Sequence, residues 1–229
     1  MDFQQGLITT IHEYGISKNL LKELNKKLKN RPTAILIPCL YEEFERPALK
    51  DIKEVLKDLN GLNELVIALS AKSKEQAKAA KAFFDSMPFP VHIQWTNSPS
   101  VIELLKSQEK NGLELLGTPG KGWAVWQGIG VATRRSDVVA LFDADIRTFS
   151  NLYPSKMILP LLDDSFGISY VKAFYSRLSL ETNELQGRAT RLFVGPLLDS
   201  LEQLVGNGPF LQYLQSFRYP LAGEFAFTK

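Results

Sequence analysis

The sequence predicts an α/β fold, a mostly parallel β-sheet covered by helices on both faces. Three observations predict it. Short strand-like segments recur along the chain at 34–37, 65–69, 91–95 and 138–142, three of them continuous apolar runs. Stretches with helical spacing of apolar residues separate them, and strands alternating with helices mean βαβ units with right-handed crossovers. The length, 229 residues with 45% hydrophobic and 23% charged, suits one large globular domain or two small ones, and excludes disorder, collagen-like sequence and coiled coil as the main architecture.

The elements follow in order. Leu20, Leu21, Leu24 and Leu28 lie at helical spacing with Lys22, Glu23, Lys26, Lys27 and Lys29 between them, an amphipathic helix. After Arg31-Pro32 the continuous run Ala34-Ile35-Leu36-Ile37, stopped by Pro38, suits a strand buried on both faces. A helix is expected over about 46–59, a second strand at Leu65–Leu69, and an Ala- and Lys-rich helix from Ser73 to Met87. Val91–Trp95 is the third strand, followed by a polar loop and a short helix near 100–109. The Gly/Pro-rich loop Gly117–Gly122 leads into a helix from Trp123 to Arg134, and Val138–Phe142 is the fourth strand. Beyond residue 150 the pattern loosens: strand-like Gly167–Tyr175, a turn at Gly187, helix-like Leu192–Val205 and a final Pro220-Leu221-Ala222-Gly223-Glu224. The organisation expected is an N-terminal helical segment (1–30), a core (31–150) and a C-terminal portion of the same domain (151–229).

Charge excludes some partners. With 27 Lys+Arg against 25 Asp+Glu the net charge is +2, so there is no electrostatic case for nucleic acid or an anionic membrane. Cys39 is the single cysteine and pairs with nothing in the chain, while one Cys with His12 and His92 makes no Cys/His zinc site. The first residues lack a signal-peptide pattern, and no apolar run reaches the roughly 18 residues of a membrane span. A cytoplasmic protein is expected.

In doubly wound sheets ligands bind beyond the carboxyl ends of the strands. The residues there are Pro38-Cys39-Leu40-Tyr41-Glu42-Glu43, Ser70-Ala71, Thr96-Asn97 and Asp143-Ala144-Asp145. Asp143 and Asp145 directly follow a strand, where paired carboxylates can hold Mg²⁺ or Mn²⁺ against a diphosphate. An isolated Asp-x-Asp also suits two surface turn residues. A haloacid-dehalogenase-like reading fails because Arg147 stands where that pattern wants Thr or Val, and because the motif follows four strands. Gly117–Gly122 resembles a phosphate loop, but Leu115 and Gly122 break the Walker spacing; a loop lysine near a diphosphate at a helix start survives. Taken alone, Glu42 and Glu43 read first as helix N-terminal carboxylates favoured by the macrodipole. Arg188 and Arg191, beside Gly187 and Thr190, suit phosphate or carboxylate binding or a surface salt bridge. Trp95, Trp123 and Trp126 read as packing residues.

Taken together, Pro38-Cys39-Leu40-Tyr41-Glu42-Glu43, Gly120-Lys121-Gly122, Asp143-Ala144-Asp145, Gly187-Arg188-Ala189-Thr190 and Pro220-Leu221-Ala222-Gly223-Glu224 resemble the glucosyl-3-phosphoglycerate synthase family, in the family's order and over nearly the whole chain. The resemblance implies a retaining GT-A glycosyltransferase that moves glucose from a nucleoside diphosphate glucose such as UDP-glucose to the 2-hydroxyl of 3-phospho-D-glycerate, feeding a compatible solute. It implies donor contacts from Pro38, Leu40, Glu42, Ser70, Lys121 and Asp143. Asp145 would ligate Mg²⁺ or Mn²⁺, and Gly187, Arg188, Ala189 and Thr190 would grip the acceptor phosphate. Glu224 would lie near the reacting centre. The family usually has Val where this chain has Ala189, and backbone amides serve either way. The resemblance also implies a homodimer, and Leu192–Leu214 is apolar enough to supply an interface.

Members of the family run well past the Leu-Ala-Gly-Glu stretch, and a later His completes their metal site. This sequence stops at Lys229, and neither His12 nor His92 takes that place by order, so either a C-terminal truncation or a weaker, partly solvent-completed metal site is expected. Two other readings stay open: a non-catalytic nucleotide-sugar-binding fragment, and a sugar-phosphate nucleotidyltransferase. The second is disfavoured because its Gly-rich loop should directly follow the first strand.

Overall fold

The structure is a computed structural model that describes residues 4–5, 8–11, 19–117, 119–175, 177–178, 185–186 and 190–229. The chain forms two compact units, a larger one from residues 17–171 and 224–229 and a smaller one from the described parts of 1–16 and 172–223. A two-residue antiparallel pair, β1 (Gln4–Gln5) with β2 (Ile8–Thr9), opens the chain within the smaller unit.

The larger unit begins with α1 (Leu20–Leu28), which buries Leu20, Leu24 and Leu28 along one face as the spacing predicts. Then follow β3 (Thr33–Leu40), α2 (Pro47–Leu56), β4 (Glu64–Ser70), α3 (Lys74–Phe83), β5 (Val91–Trp95), α4 (Pro99–Glu109), α5 (Lys121–Ala132), β6 (Val138–Leu141), α6 (Leu152–Leu162) and β7 (Tyr170–Lys172). The last strand of the chain, β10 (Phe225–Thr228), returns to this unit. The six-stranded sheet has the order β5-β4-β3-β6-β10-β7. Strands β3, β4, β5 and β6 are parallel, and β10 runs antiparallel to β6. The α/β expectation is met.

The winding reverses direction between β3 and β6: successive crossovers lead from β3 through β4 to β5 on one side, then to β6 on the other. That reversal opens a crevice at the carboxyl ends of β3 and β6, the place where open α/β sheets bind ligands.

The strands are longer or shorter than the sequence suggests in ways that have causes. Pro38 does not stop β3, which continues to Leu40. The Leu36 carbonyl accepts from the Phe142 N–H, so the backbone polar groups of Leu36 face β6, and by alternation those of Pro38 do too. The β6 ladder ends at Leu141, so the N–H that Pro38 lacks has no acceptor to miss. On the other side β3 pairs with β4 out to Leu40 and Ser70.

Helix α5 begins at Lys121, two residues earlier than Trp123, which turns Lys121 and Gly122 from loop into helix. It lies close on the sheet: a Cβ at Gly128 would stand 2.4 Å from the Leu36 side chain and 3.2 Å from Ala68. Only glycine gives that approach. Helix α6 has no counterpart in the sequence reading, because Leu-Tyr-Pro-Ser-Lys-Met-Ile-Leu-Pro-Leu-Leu is apolar nearly all round and carries a proline inside the helix. Its C-terminal carbonyls are met from afar, where Arg31 donates to the Leu161 carbonyl at 2.9 Å and Lys27 to the Leu162 carbonyl at 3.4 Å. These are cations at the negative end of a helix dipole.

In the smaller unit β8 (Arg177–Leu178) pairs antiparallel with β9 (Leu185–Gln186), and a π-helical turn, Thr190–Val194, leads into α7 (Gly195–Val205) and α8 (Pro209–Ser216). The helix read over Leu192–Val205 is therefore two pieces, and the strand read over Gly167–Tyr175 shrinks to β7. The turn read at Gly187 lies outside the described residues. Helix α7 buries only Leu198 and α8 buries nothing, while Leu204 is 81% exposed, Val205 73% and Phe210 69%. Among the described residues no helix is long and apolar enough to cross a membrane.

Candidate active site

Five segments reach the crevice at the carboxyl edge of the sheet. Asp143 follows β6 and Phe142, a fully buried residue that anchors the end of the strand. The Asp143 carboxylate accepts from the Lys121 ammonium at 2.5 Å, with the aspartate side chain 18% exposed and the lysine 53%. Lys121 is the first residue of α5, and that helix end carries backbone N–H groups without intrahelical partners and a partial positive charge. Gly120 precedes it in extended backbone, and nothing would meet a Cβ at Gly122, so the end of α5 is open. Asp145 stands two residues beyond Asp143, exposed, on the far side of the buried Ala144. Lysine, helix terminus and two carboxylates therefore converge where a diphosphate and a divalent cation would balance charge.

Glu224 arrives at the same edge from the other end of the sequence. Phe225 pairs with Leu141 in the antiparallel β10–β6 ladder, so Glu224 stands in register beside Phe142, one residue before Asp143. It is 2% exposed. Sequence reading named Glu224 through the resemblance alone; no pattern in the short segment Phe-Ala-Phe-Thr announces the strand that delivers it.

The nucleoside-side candidates sit at the ends of β3 and β4. Pro38 is buried within β3, Leu40 is 56% exposed at its end, and Ser70, half-buried, ends β4 as the register partner of Leu40. Glu42 and Glu43 fall in a 3₁₀ turn, Tyr41–Glu45, and part company. Glu43 is buried and accepts from Arg46 at 2.7 Å, a local structural pair. Glu42 is exposed and accepts from Lys72 at 2.9 Å; the hydrogen bond from that ammonium holds its carboxyl below the usual range. Burial and the two neighbouring carboxylates push the Cys39 thiol well above its ordinary range, so Cys39 is no nucleophile.

Of the acceptor-side candidates, Gly187, Arg188 and Ala189 lie outside the described residues, and Thr190 is placed only as the start of the π-helical turn. Trp95, read as packing, is half-buried and donates to the Ala71 carbonyl. Lys72 was not singled out in the sequence, although it lies one residue beyond the post-strand pair Ser70-Ala71.

No family model matches the chain. Over 229 residues, all of this chain, it is 39% identical to a glucosyl-3-phosphoglycerate synthase of Methanococcoides burtonii. The chain is a homologue of the glucosyl-3-phosphoglycerate synthases. A synthase of Persephonella marina is 35% identical over 233 residues. The chain spans 56% of the length of both relatives. In three dimensions it resembles the Mycobacterium tuberculosis synthase solved in complex with Mn²⁺, UDP and glucosyl-3-phosphoglycerate, with a TM-score of 0.60 at 24% identity, over 96% of this chain and 63% of that one. The same synthase has been solved with Mn²⁺, UDP-glucose and phosphoglyceric acid, again at a TM-score of 0.60, 24% identity and the same coverage. These likenesses show the synthases' α/β fold in the chain.

Proposed function

We propose that the chain carries the donor site of a retaining glucosyltransferase that moves glucose from UDP-glucose to the 2-hydroxyl of 3-phosphoglycerate, giving glucosyl-3-phosphoglycerate. The observation that carries the reading is the Lys121–Asp143 pair at the open end of α5, inside the crevice where the winding reverses. Its homologues bear the name of this activity, and the M. tuberculosis synthase holds both substrates.

Each residue then has a task that follows from its placement. Glu42 accepts hydrogen bonds from the ribose hydroxyls, while Leu40, Pro38 and Ser70 line the base side. The Lys121 ammonium and the first-turn N–H groups of α5 take up the charge that grows on the departing diphosphate, as preorganised donors. Among the described residues no three metal-ligating side chains cluster, so the chain offers Asp145 with Asp143, a set that fits Mg²⁺ or Mn²⁺ when phosphate oxygens and water fill the remaining positions. When bound, the ion supplies Lewis-acid stabilisation of the leaving diphosphate. Glu224, buried beside Phe142, orients the transferred glucose. Gly187, Arg188, Ala189 and Thr190, in the acceptor-binding portion, hold the acceptor phosphate and set its hydroxyl against the anomeric carbon. The exposed apolar residues of α7 and α8 support a homodimer, and one reduced thiol fits the cytoplasm.

Calorimetric titration of UDP-glucose with and without Mn²⁺ tests the donor site. Metal-dependent binding that disappears in Asp145→Ala upholds it; no binding by the intact chain sinks it. A second reading, donor binding without turnover, is favoured by the absence of a three-ligand cluster among the described residues. Release of UDP and appearance of glucosyl-3-phosphoglycerate, followed with 3-phosphoglycerate present, separates the two.

A further inference from the structure

The loop after β4 is held in an unusual way for a surface segment. Both backbone polar groups of Ala71 are bound by side chains from the end of β5: the Asn97 amide oxygen accepts from the Ala71 N–H at 3.1 Å, and the Trp95 indole N–H donates to the Ala71 carbonyl at 3.0 Å. One residue on, the Lys72 N–H donates to the Gln76 side chain at 2.7 Å, while Ser73 caps α3. The end of β5 is fixed in turn, since Thr96 bonds the Leu69 carbonyl through both its N–H and its hydroxyl, and Gln127 of α5 donates to the Thr96 carbonyl at 3.1 Å. A backbone bound at every step fixes the origin of the Lys72 side chain. Its ammonium spans from the β4 loop to the 3₁₀ turn after β3 and meets Glu42 at 2.9 Å.

We propose that Lys72 is a positioning residue for donor binding: anchored by the Trp95–Asn97 clamp, it holds the Glu42 carboxylate aimed for the ribose hydroxyls. This rests on the donor-site reading above. Lys72 acts through Glu42, which also lies near the cation of Arg46, its neighbour Glu43 and the Cys39 thiol. The pair is open to water, with the lysine 81% and the glutamate 50% exposed, so its effect is modest and salt-sensitive.

The test is calorimetric titration of UDP with Mn²⁺ into the wild type, Lys72→Met, Lys72→Arg, Glu42→Gln and the Lys72→Met/Glu42→Gln double variant, at several pH values from about 3 to about 7, a range that brackets carboxylate titration. Lys72→Met is expected to weaken binding about threefold, as an exposed ion pair allows, with Lys72→Arg recovering most of it. In the Glu42→Gln background the Lys72→Met change should cost nothing further. Without Lys72 the Glu42 carboxyl returns toward its ordinary range, so binding should fail at a higher pH on acidification than in the wild type. A purely structural lysine would leave that acid limb unmoved. Unchanged affinity and acid limb in Lys72→Met, with the wild type binding UDP, overturns this proposal alone; equal losses in both backgrounds do so too. If the wild type binds no UDP at any pH, the donor-site reading fails and this proposal falls with it.

Discussion

The two compact units handle their apolar residues in opposite ways. In the larger unit β3, β4 and β6 are buried along nearly their whole length, and α5 comes so close that Gly128 touches Leu36. In the smaller unit the π-helical turn leaves Leu192 and Phe193, and α7 and α8 leave Leu204, Val205 and Phe210, more than three-fifths exposed. An amphipathic helix needs a partner for its apolar face, and a large exposed patch marks an interaction surface.

The sharpest way to break that comparison is at the tightest contact. Gly128→Val should destabilise by about 3 kcal/mol in urea denaturation, because the new Cβ overlaps a buried leucine that has nowhere to go. Gly130, two residues along the same helix, has nothing within 4 Å of a built Cβ, so Gly130→Ala should be neutral or stabilise by up to about 1 kcal/mol. Equal effects at both positions would refute the close approach of α5. Truncation gives the next contrast. Leu36→Ala should cost about 2–5 kcal/mol and Leu204→Ala less than about 0.5 kcal/mol in the same denaturation. A large loss at Leu204 at high protein concentration, absent on dilution, would reveal the partner of that face. Cys39, 4% exposed with a raised thiol, should react with a disulfide reagent at pH 8 only as fast as the larger unit opens. Rapid labelling under native conditions would mean that the end of β3 is loose.

The smallest effect concerns the cap of α6. Hydrogen bonding from Ser165, then from Lys27, holds the Asp163 carboxyl below its ordinary range. A depressed carboxyl contributes stability above its unfolded pKa and loses it as pH falls through the folded value. Asp163→Asn should therefore lower stability slightly at neutral pH, with the difference from the wild type vanishing as pH falls through the folded carboxyl's range, which urea denaturation at a series of pH values checks.

What could be read in the sequence follows from the same contrast. Strands covered on both faces write themselves as apolar runs, so β3, β4 and β6 are legible in the sequence, and with them the edge on which Asp143, Glu42 and Ser70 lie. The length of β3 was misjudged because the tolerance for Pro38 depends on where β6 ends, a fact about a neighbour. Helix α6 hid because a segment buried all round has no periodicity to show. The approach of Glu224 to Asp143 depends on a register between strands far apart in the chain, which no local pattern records. Lys72 escaped notice because its orientation comes from Trp95, Asn97 and Gln76, and not from its own neighbours in sequence.

The placement of β10 between β6 and β7 also sets the order of events in folding. The four parallel strands can assemble as their residues leave the ribosome, but the sheet stays open along β6 until Phe225–Thr228 has been synthesised. Pairings of such long sequence separation form late and slowly, and an exposed β6 edge in the meantime is a template for wrong partners. Glu224 thus joins the crevice at the step that closes the sheet, so a nascent chain short of that strand lacks both its last sheet contacts and the carboxylate that β10 delivers to the crevice.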